Sequence, residues 1–275
     1  MKNSKTQKII KDEKSQEVVM IRTDITLKRM MEACKTQQLQ WGRWDVKYWH
    51  IKHTSLFNQI SHYKVLQLDD LKGKVIVGDH IRERLNEKYS SDKRIKYLKS
   101  ESISDTGILD YKVRYVTPNA YERLKRSQPE IDDLLIAFGG SIGKICLISK
   151  PIGKAITCDL CIFRTRKMNP YYIYVYLKSY FGITQMNYIK NGVAVEHLNS
   201  DEFLTIKIPI IPEKVQNHIE TEYKKMSQYH DKAMETKKKG DEEEYKKNIE
   251  IAERMLKDLT TKTEAVIRGE RKDVI

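Results

Sequence analysis

The sequence predicts an α+β protein: a mixed α/β domain with a β-rich core, followed by a long helical C-terminal region, either a coiled coil or a helical hairpin. Three observations carry this. From about Tyr63 to Asp110, short apolar alternations are broken by Gly73, Gly78 and "SDTG", a strand-and-turn pattern. From Glu213 to Ile267 there is no proline and a single glycine, Gly240. Within that stretch the apolar residues step by three and four, the spacing of one helix face. Hydrophobic residues make up 40% of the 275, enough for a core.

Taken in order, residues 1 to about 20 form a basic leader. "DITLKRMMEACK" follows, with Asp24 as N-cap and Leu27, Met30, Met31 and Cys34 at helical spacing. The aromatic stretch "WGRWDVKYWHI" precedes the β-like region. "TPNAYERLKRS" reads as a short helix, "DLLIAF" and "KICLIS" as strands flanking a glycine loop, and "AITCDLCIFRT" as a further strand. "NPYYIYVYLKSYFG" is a helix with Asn169 as N-cap, Pro170 in the first turn and Gly182 at its end. "EFLTIKIPIIP" returns to a strand stopped by Pro209 and Pro212. Val215, Ile219, Glu222, Met226, Tyr229 and Ala233 form one seam; Tyr245, Ile249, Ala252, Leu256 and Leu259 form a second, out of phase across Gly240. "KKKG" before "DEEE" puts cations at one helix end and acids at the next start, which suits a hairpin or one bent helix. The predicted boundaries are a leader at 1–40, a mixed domain at 41–212 and a helical region at 213–275.

A formal net charge of +13 favours a polyanionic partner, nucleic acid before membrane. No stretch approaches the ~20 apolar residues of a spanning helix, and the polar N-terminus lacks an apolar core for export, so a cytoplasmic protein is expected. Of the cysteines, Cys158 and Cys161 form one C-x-x-C, while Cys34 and Cys146 stand alone. A zinc site needs a second pair or histidines at ligand spacing, so neither metal nor cofactor is expected.

The loop "AFGGSIGK" suggests a phosphate cradle, but Gly139 and Gly143 are one residue too close for a P-loop and Ile145 stands where a hydroxyl is needed. Phe138 replaces the first glycine of a dinucleotide fingerprint, and a strand follows rather than a helix. "NPYY" is similar to the Asn-Pro-Pro-aromatic loop of DNA amino-methyltransferases, yet Tyr171 replaces the second proline and a helix start explains Asn169 and Pro170. "DLK" at Asp70–Lys72 lacks the upstream partner of a nuclease motif. The histidines, His50, His53 and His62 among them, are scattered, and no active site assembles. Basic and aromatic residues interleave in "DKRIKYLKS", "DYKVRY", "FRTRK" and "YIKNG", which suits phosphate and base-edge contacts.

In this order, the stretches "YKVLQLDDL", "RIKYLKSESISDTGILDYKVRYV", "IDDLLIAFGGSIGK", "AITCDLCIFRT" and "PYYIYVYLKSYF" resemble the target recognition domain of type I restriction-modification specificity subunits. The most specific stretch is "GVAVEHLNSDEFLTIKIPIIPEKVQNHIE", which carries L-x-x-x-x-[LF]-x-x-I-x-I-P-x-x-P and then Pro209, Pro212, Gln216 and Ile219 in the family's places. "WDVKYWH" resembles the family's opening segment, and the likeness spans roughly 41–270. The glycine of the family's "GD" is Asp132 here, and Val215 stands for the acid before the glutamine. The full family carries two recognition domains and two helical regions, so this chain resembles a half-subunit.

The resemblance implies a non-catalytic subunit that binds double-stranded DNA, reads half of a bipartite site, and docks a methyltransferase subunit, with a restriction subunit beside it, as a homodimer. The residues expected at DNA are Lys99, Ser100, Lys112, Arg114, Gly139, Gly140, Ser141, Lys144, Lys190 and Asn191. Ile219, Met226, Ile249 and Leu256 are expected at the dimer and methyltransferase contacts. The competing readings are a small DNA methyltransferase or nuclease retaining a recognition domain, and an orphan subunit that captures a methyltransferase.

Overall fold

The structure is a computed structural model that describes residues 56, 59–77, 90–139, 143–157, 159–190 and 197–275. The leader and its helix, the segment "WDVKYWH", Gly78, Gly140, Ser141, Cys158 and Asn191 lie outside the described residues.

The central sheet has the order β2–β8–β5–β6 and is antiparallel throughout, from β2 (Lys74–Val77), β5 (Leu134–Ile136), β6 (Ile145–Leu147) and β8 (Cys161–Arg164). β5 and β6 are buried on both faces, which is why they read as unbroken apolar runs rather than alternations. Leu135 lies between Ile162 and Cys146, inside a cluster with Leu98, Ile103, Ala137, Ile148 and Leu160. A second sheet, β4–β3–β7, joins β3 (Lys96–Leu98) antiparallel to β4 (Arg114–Tyr115) and parallel to β7 (Ala155–Thr157). The short helix α1 (Pro118–Arg123), capped by the Thr117 hydroxyl, covers this sheet through Ala120, Tyr121 and Leu124. A two-stranded pair joins β1 (Val65–Gln67) to β9 (Lys207–Pro209).

"AITCDLCIFRT" is therefore two strands in two sheets, not one. Strands here run to three or four residues, and the bend at Asp159 and Leu160 lets Ile156 pack under α1 while Ile162 enters the central cluster.

Helix α2 (Pro170–Lys178) begins as expected: the Asn169 side-chain oxygen accepts from the backbone N–H of Tyr171 (2.9 Å) and Tyr172 (3.4 Å). Every residue from Tyr171 to Leu177 is buried, as befits a helix with no polar stripe. Its tyrosines reach out with their hydroxyls. Tyr172 donates to the Pro209 carbonyl and Tyr176 to that of Lys207, both at 2.6 Å, and Tyr174 donates to that of Asp105.

The helix does not run to Gly182. Ser179 ends it and caps a second helix, α3 (Tyr180–Ile189). Gly182 makes that elbow possible, because a Cβ there would lie 2.5 Å from Leu177 Cα and closer still to the Tyr176 carbonyl oxygen. A further helix, α4 (Ser200–Leu204), precedes β9 and takes in Glu202–Leu204, which were expected in the strand "EFLTIKIPIIP". Its sequence mark was readable: Asn199 accepts from Asp201 N–H at 2.8 Å, with Asp201 and Glu202 in the first turn.

The C-terminal region is a hairpin of α5 (Glu213–Lys239) and α6 (Glu242–Ile267). Gly240 closes α5 in the left-handed conformation, and the Asp241 carboxylate caps α6 by accepting from Glu244 N–H at 3.0 Å. The helices run antiparallel. Ala233 and Met234 pack with Tyr245 and Ile249 near the turn, while at the far end His218 meets Asp273 at 2.7 Å. The hairpin also packs on the domain before it: Tyr223 sits edge-on to Tyr171 and Tyr174, at 5.3 and 5.2 Å between ring centroids.

Candidate nucleic-acid interface

The glycine loop joins two antiparallel strands. At its base Asp133 is fully buried and accepts from Arg164 Nε (2.8 Å), Arg164 Nη2 (2.7 Å) and the Glu130 N–H (2.7 Å). Asp132, just before, holds φ at 72° while its N–H bonds the Ile148 carbonyl at 2.8 Å. The strands stay paired up to Ala137 and Lys144. The described ends of the loop are held from two sides. On one side Gly139 bridges to His197, and Leu198 N–H donates to the Phe138 carbonyl at 2.7 Å. On the other, Lys144 Nζ donates to the Ser100 carbonyl at 2.6 Å, and Lys178 Nζ donates to that of Gly143 at 3.1 Å while pairing with Asp105 at 2.8 Å.

The neighbouring loop runs from β3 to β4. Ser100–Ser102 form a single 3₁₀ turn, closed by Lys99 N–H on Ser102 Oγ (2.7 Å) and by that hydroxyl on the Lys99 carbonyl (2.8 Å). Arg114, exposed on β4, pairs with Glu101 of this turn at 3.2 Å. Lys144 thus ties this turn to the glycine hairpin, and Arg114 stands beside it through Glu101. Lys112 lies further along the same loop, exposed, with its ammonium 5.7 Å from the centre of the Tyr111 ring. Lys190 follows the last residue of α3, at the head of the segment that returns at His197.

The lysine that grips the tip, Lys178, was not among the expected residues. Its mark in the sequence is a lone cation ending an otherwise apolar helix. Exposed Arg123 at the end of α1 and Lys125 and Arg126 after it were also passed over, as was Lys154, whose ammonium stands 5.4 Å from the Tyr121 ring centre.

The four helix residues expected at partner contacts are placed differently from an open seam. Ile219 and Met226 are fully buried and Leu256 is buried, all within this chain; Ile249 keeps partial exposure. The narrow seams close on one another and on α2, so a partner would meet the outer faces of the hairpin.

Cys146 and Cys161 are buried free thiols, and burial pushes each up to about 12. Among the described residues no group of His, Cys, Asp or Glu could hold a metal ion, and no helix is long and apolar enough to cross a membrane. Asp70 of "DLK" accepts the Gln67 N–H at 2.8 Å and so stabilises a turn, and the Asn169 amide is engaged by its cap and by Glu220 at 2.7 Å.

Residues 61–244 match the family described as Type I restriction modification DNA specificity domain. The chain belongs to this family. No curated protein matches it. Solved structures similar to it include a type I restriction-modification S subunit from M. genitalium (12% identity, TM-score 0.43, 64% of this chain and 41% of that one). Two others are the type IIG restriction endonuclease BpuSI (11%, 0.48, 78% and 34%) and the HsdS subunit from Thermoanaerobacter tengcongensis (13%, 0.42, 89% and 55%). The chain therefore spans 34–55% of the length of these structures. Membership gives the "GD" pattern a physical sense. Asp133 is the buried acceptor for Arg164, and the position before it needs a left-handed backbone, which glycine adopts freely and Asp132 adopts at a cost.

Proposed function

We propose that this chain is a non-catalytic DNA-recognition subunit that reads one half of a bipartite site and docks a methyltransferase through the outer faces of its helical hairpin. The observation that supports the DNA-reading part is that the basic Lys99–Ser102 turn, with Arg114 paired to its Glu101, is tied to the glycine hairpin through the Lys144–Ser100 bond. Such a rim combines backbone groups with cations, the two kinds of donor that phosphates and base edges accept from. The further cations after α1 extend the same chemistry to flanking phosphates. With one recognition domain per chain, a two-fold dimer would read a pseudo-palindrome with a fixed gap. The proposed division of labour places recognition at 41–212 and assembly at 213–275.

The test is selection of duplexes from a random library, followed by gel shifts across salt. A recovered motif bound at least ~10³-fold above scrambled duplex supports the reading. Sequence-blind binding that vanishes steeply with salt would favour an interaction subunit that does not read DNA. Binding of S-adenosylmethionine by the isolated chain would overturn the non-catalytic assignment.

A further inference from the structure

The β3–β4 loop, which carries the basic turn, is fastened to helix α5 at one buried polar joint. His230 on α5 sits inside that loop. Its Nδ1 lies 3.0 Å from the Thr106 hydroxyl and its Nε2 lies 2.9 Å from the Ile108 carbonyl. A carbonyl only accepts, so Nε2 carries the proton and Nδ1 accepts from Thr106. Gly107 lies flat against the ring: a Cβ there would come within 2.6 Å of Cδ2 and Nε2. The next residues reinforce the contact. Leu109 packs on Ala233 and Met234, Asp110 pairs with Lys96 at 2.9 Å and Lys238 at 3.4 Å, and the Tyr111 hydroxyl meets that of Tyr245 at 3.0 Å.

We infer that His230 is a positioning residue for DNA reading: the Thr106–His230–Ile108 joint fixes the β3–β4 loop, and with it the rim around Ser100, against the helical hairpin. This rests on the DNA-reading role proposed above. The hairpin already meets the domain at Tyr223 against α2, and at the Asn169–Glu220 and Tyr180–Glu264 hydrogen bonds. The joint, seven residues beyond Tyr223 and ~10 Å along α5 by helical rise, is where the hairpin grips the β3–β4 loop itself. The loop also delivers Ser100 to Lys144 and Asp105 to Lys178, so its placement is transmitted to the glycine tip. Burial favours the neutral ring, and protonation would reverse the Thr106 bond, making Nδ1 the donor and the hydroxyl the acceptor. The charged groups around it are Asp110 on the loop, Lys96 on β3, Lys150 after β6, and Asp231, Glu235 and Lys238 on α5. Asp110 is engaged by two lysines, and Lys150 is paired with Asp231.

The experiment compares the full chain with His230→Ala, His230→Gln and Thr106→Val. Glutamine keeps one donor and one acceptor. Two readouts are taken: the ratio of affinities for the wild-type-selected duplex and a scrambled one, and amide exchange over residues 104–109 at fixed pH. His230→Ala is expected to lose about tenfold in the ratio, as one lost hydrogen-bonded contact implies, and to raise exchange. His230→Gln should restore both, and wild type alone should lose discrimination as pH falls below the histidine range. Thr106→Val, a milder change, keeps the test open if His230→Ala does not fold. A folded His230→Ala or Thr106→Val with an unchanged ratio overturns the positioning role. If wild type selects no duplex, the DNA-reading proposal fails by itself. The joint then stands or falls on whether exchange at 104–109 rises in the alanine variant and returns in the glutamine one.

Discussion

Replacing Arg164 by methionine tests the buried pair at the base of the glycine hairpin. The Asp133 side chain is 0% exposed and loses its two guanidinium donors at 2.8 and 2.7 Å, keeping only the Glu130 N–H. Breaking one side of a buried ion pair costs ~3–5 kcal/mol, because the remaining charge is left without compensation. The Arg164 side chain is 24% exposed, so water reaches part of the vacated space and the lower figure of ~3 kcal/mol applies. For a chain of this size that corresponds to a fall of roughly 6–12 °C in Tm. The companion Asp133→Asn/Arg164→Met removes the charge while keeping an acceptor for Glu130, and is expected to recover at least half of the loss. Urea and thermal unfolding followed by circular dichroism would measure both. A loss under ~1 kcal/mol for Arg164→Met, or a double variant no more stable than the single one, would refute the argument that Asp133 needs its partner.

Three further outcomes follow from the same geometry. Asp132→Gly relieves a left-handed residue and should raise stability by a few tenths to ~1 kcal/mol in urea unfolding, whereas Asp132→Val should lower it by ~1–2 kcal/mol. Gly182→Ala forces the α2–α3 elbow open and should cost ~1–3 kcal/mol by the same measurement. His230 is held below the ordinary histidine value by burial, against the Ile108 hydrogen bond, so the unfolded chain takes up its proton first. Its contribution is complete above pH ~6.5 and is lost as pH falls from there through the lower folded value. His230→Gln should flatten that slope in a pH series of melting curves.

Much of the fold is legible from local rules. The Asn169 cap, the strand–glycine–strand hairpin and the acid-after-glycine start of α6 are decided within a few residues, and each stands where it was expected. What escaped depended on distant partners. The seam of α5 looked like a surface awaiting another helix because sequence cannot show that Tyr223 will meet Tyr171 and Tyr174, or that Met226 will be sealed in the same chain. Gly182 looked like a stop because its reason, close approach to the backbone of the preceding helix, is a tertiary one. Around the glycine tip, the sequence offered only charge and loop placement. They could not tell a lysine that would point outward from one that would turn back onto its own backbone.

That distinction divides the cations into two groups with opposite signatures. Lys144 and Lys178 donate to the Ser100 and Gly143 carbonyls, so they shape the tip. Arg114, half exposed and paired with Glu101 across the rim, can exchange that carboxylate for a phosphate oxygen. On the proposed reading, Arg114→Gln should weaken binding of all duplexes alike and reduce the slope of log affinity against log salt by about one unit. Lys144→Met should leave that slope nearly unchanged and instead lower the preference for the selected duplex, since it releases the turn at Ser100 rather than removing a phosphate contact. Both are read from the same salt series on selected and scrambled DNA. If Lys144→Met lowers the slope as Arg114→Gln does, Lys144 itself meets phosphate, and its bond to the Ser100 carbonyl is exchanged when DNA binds.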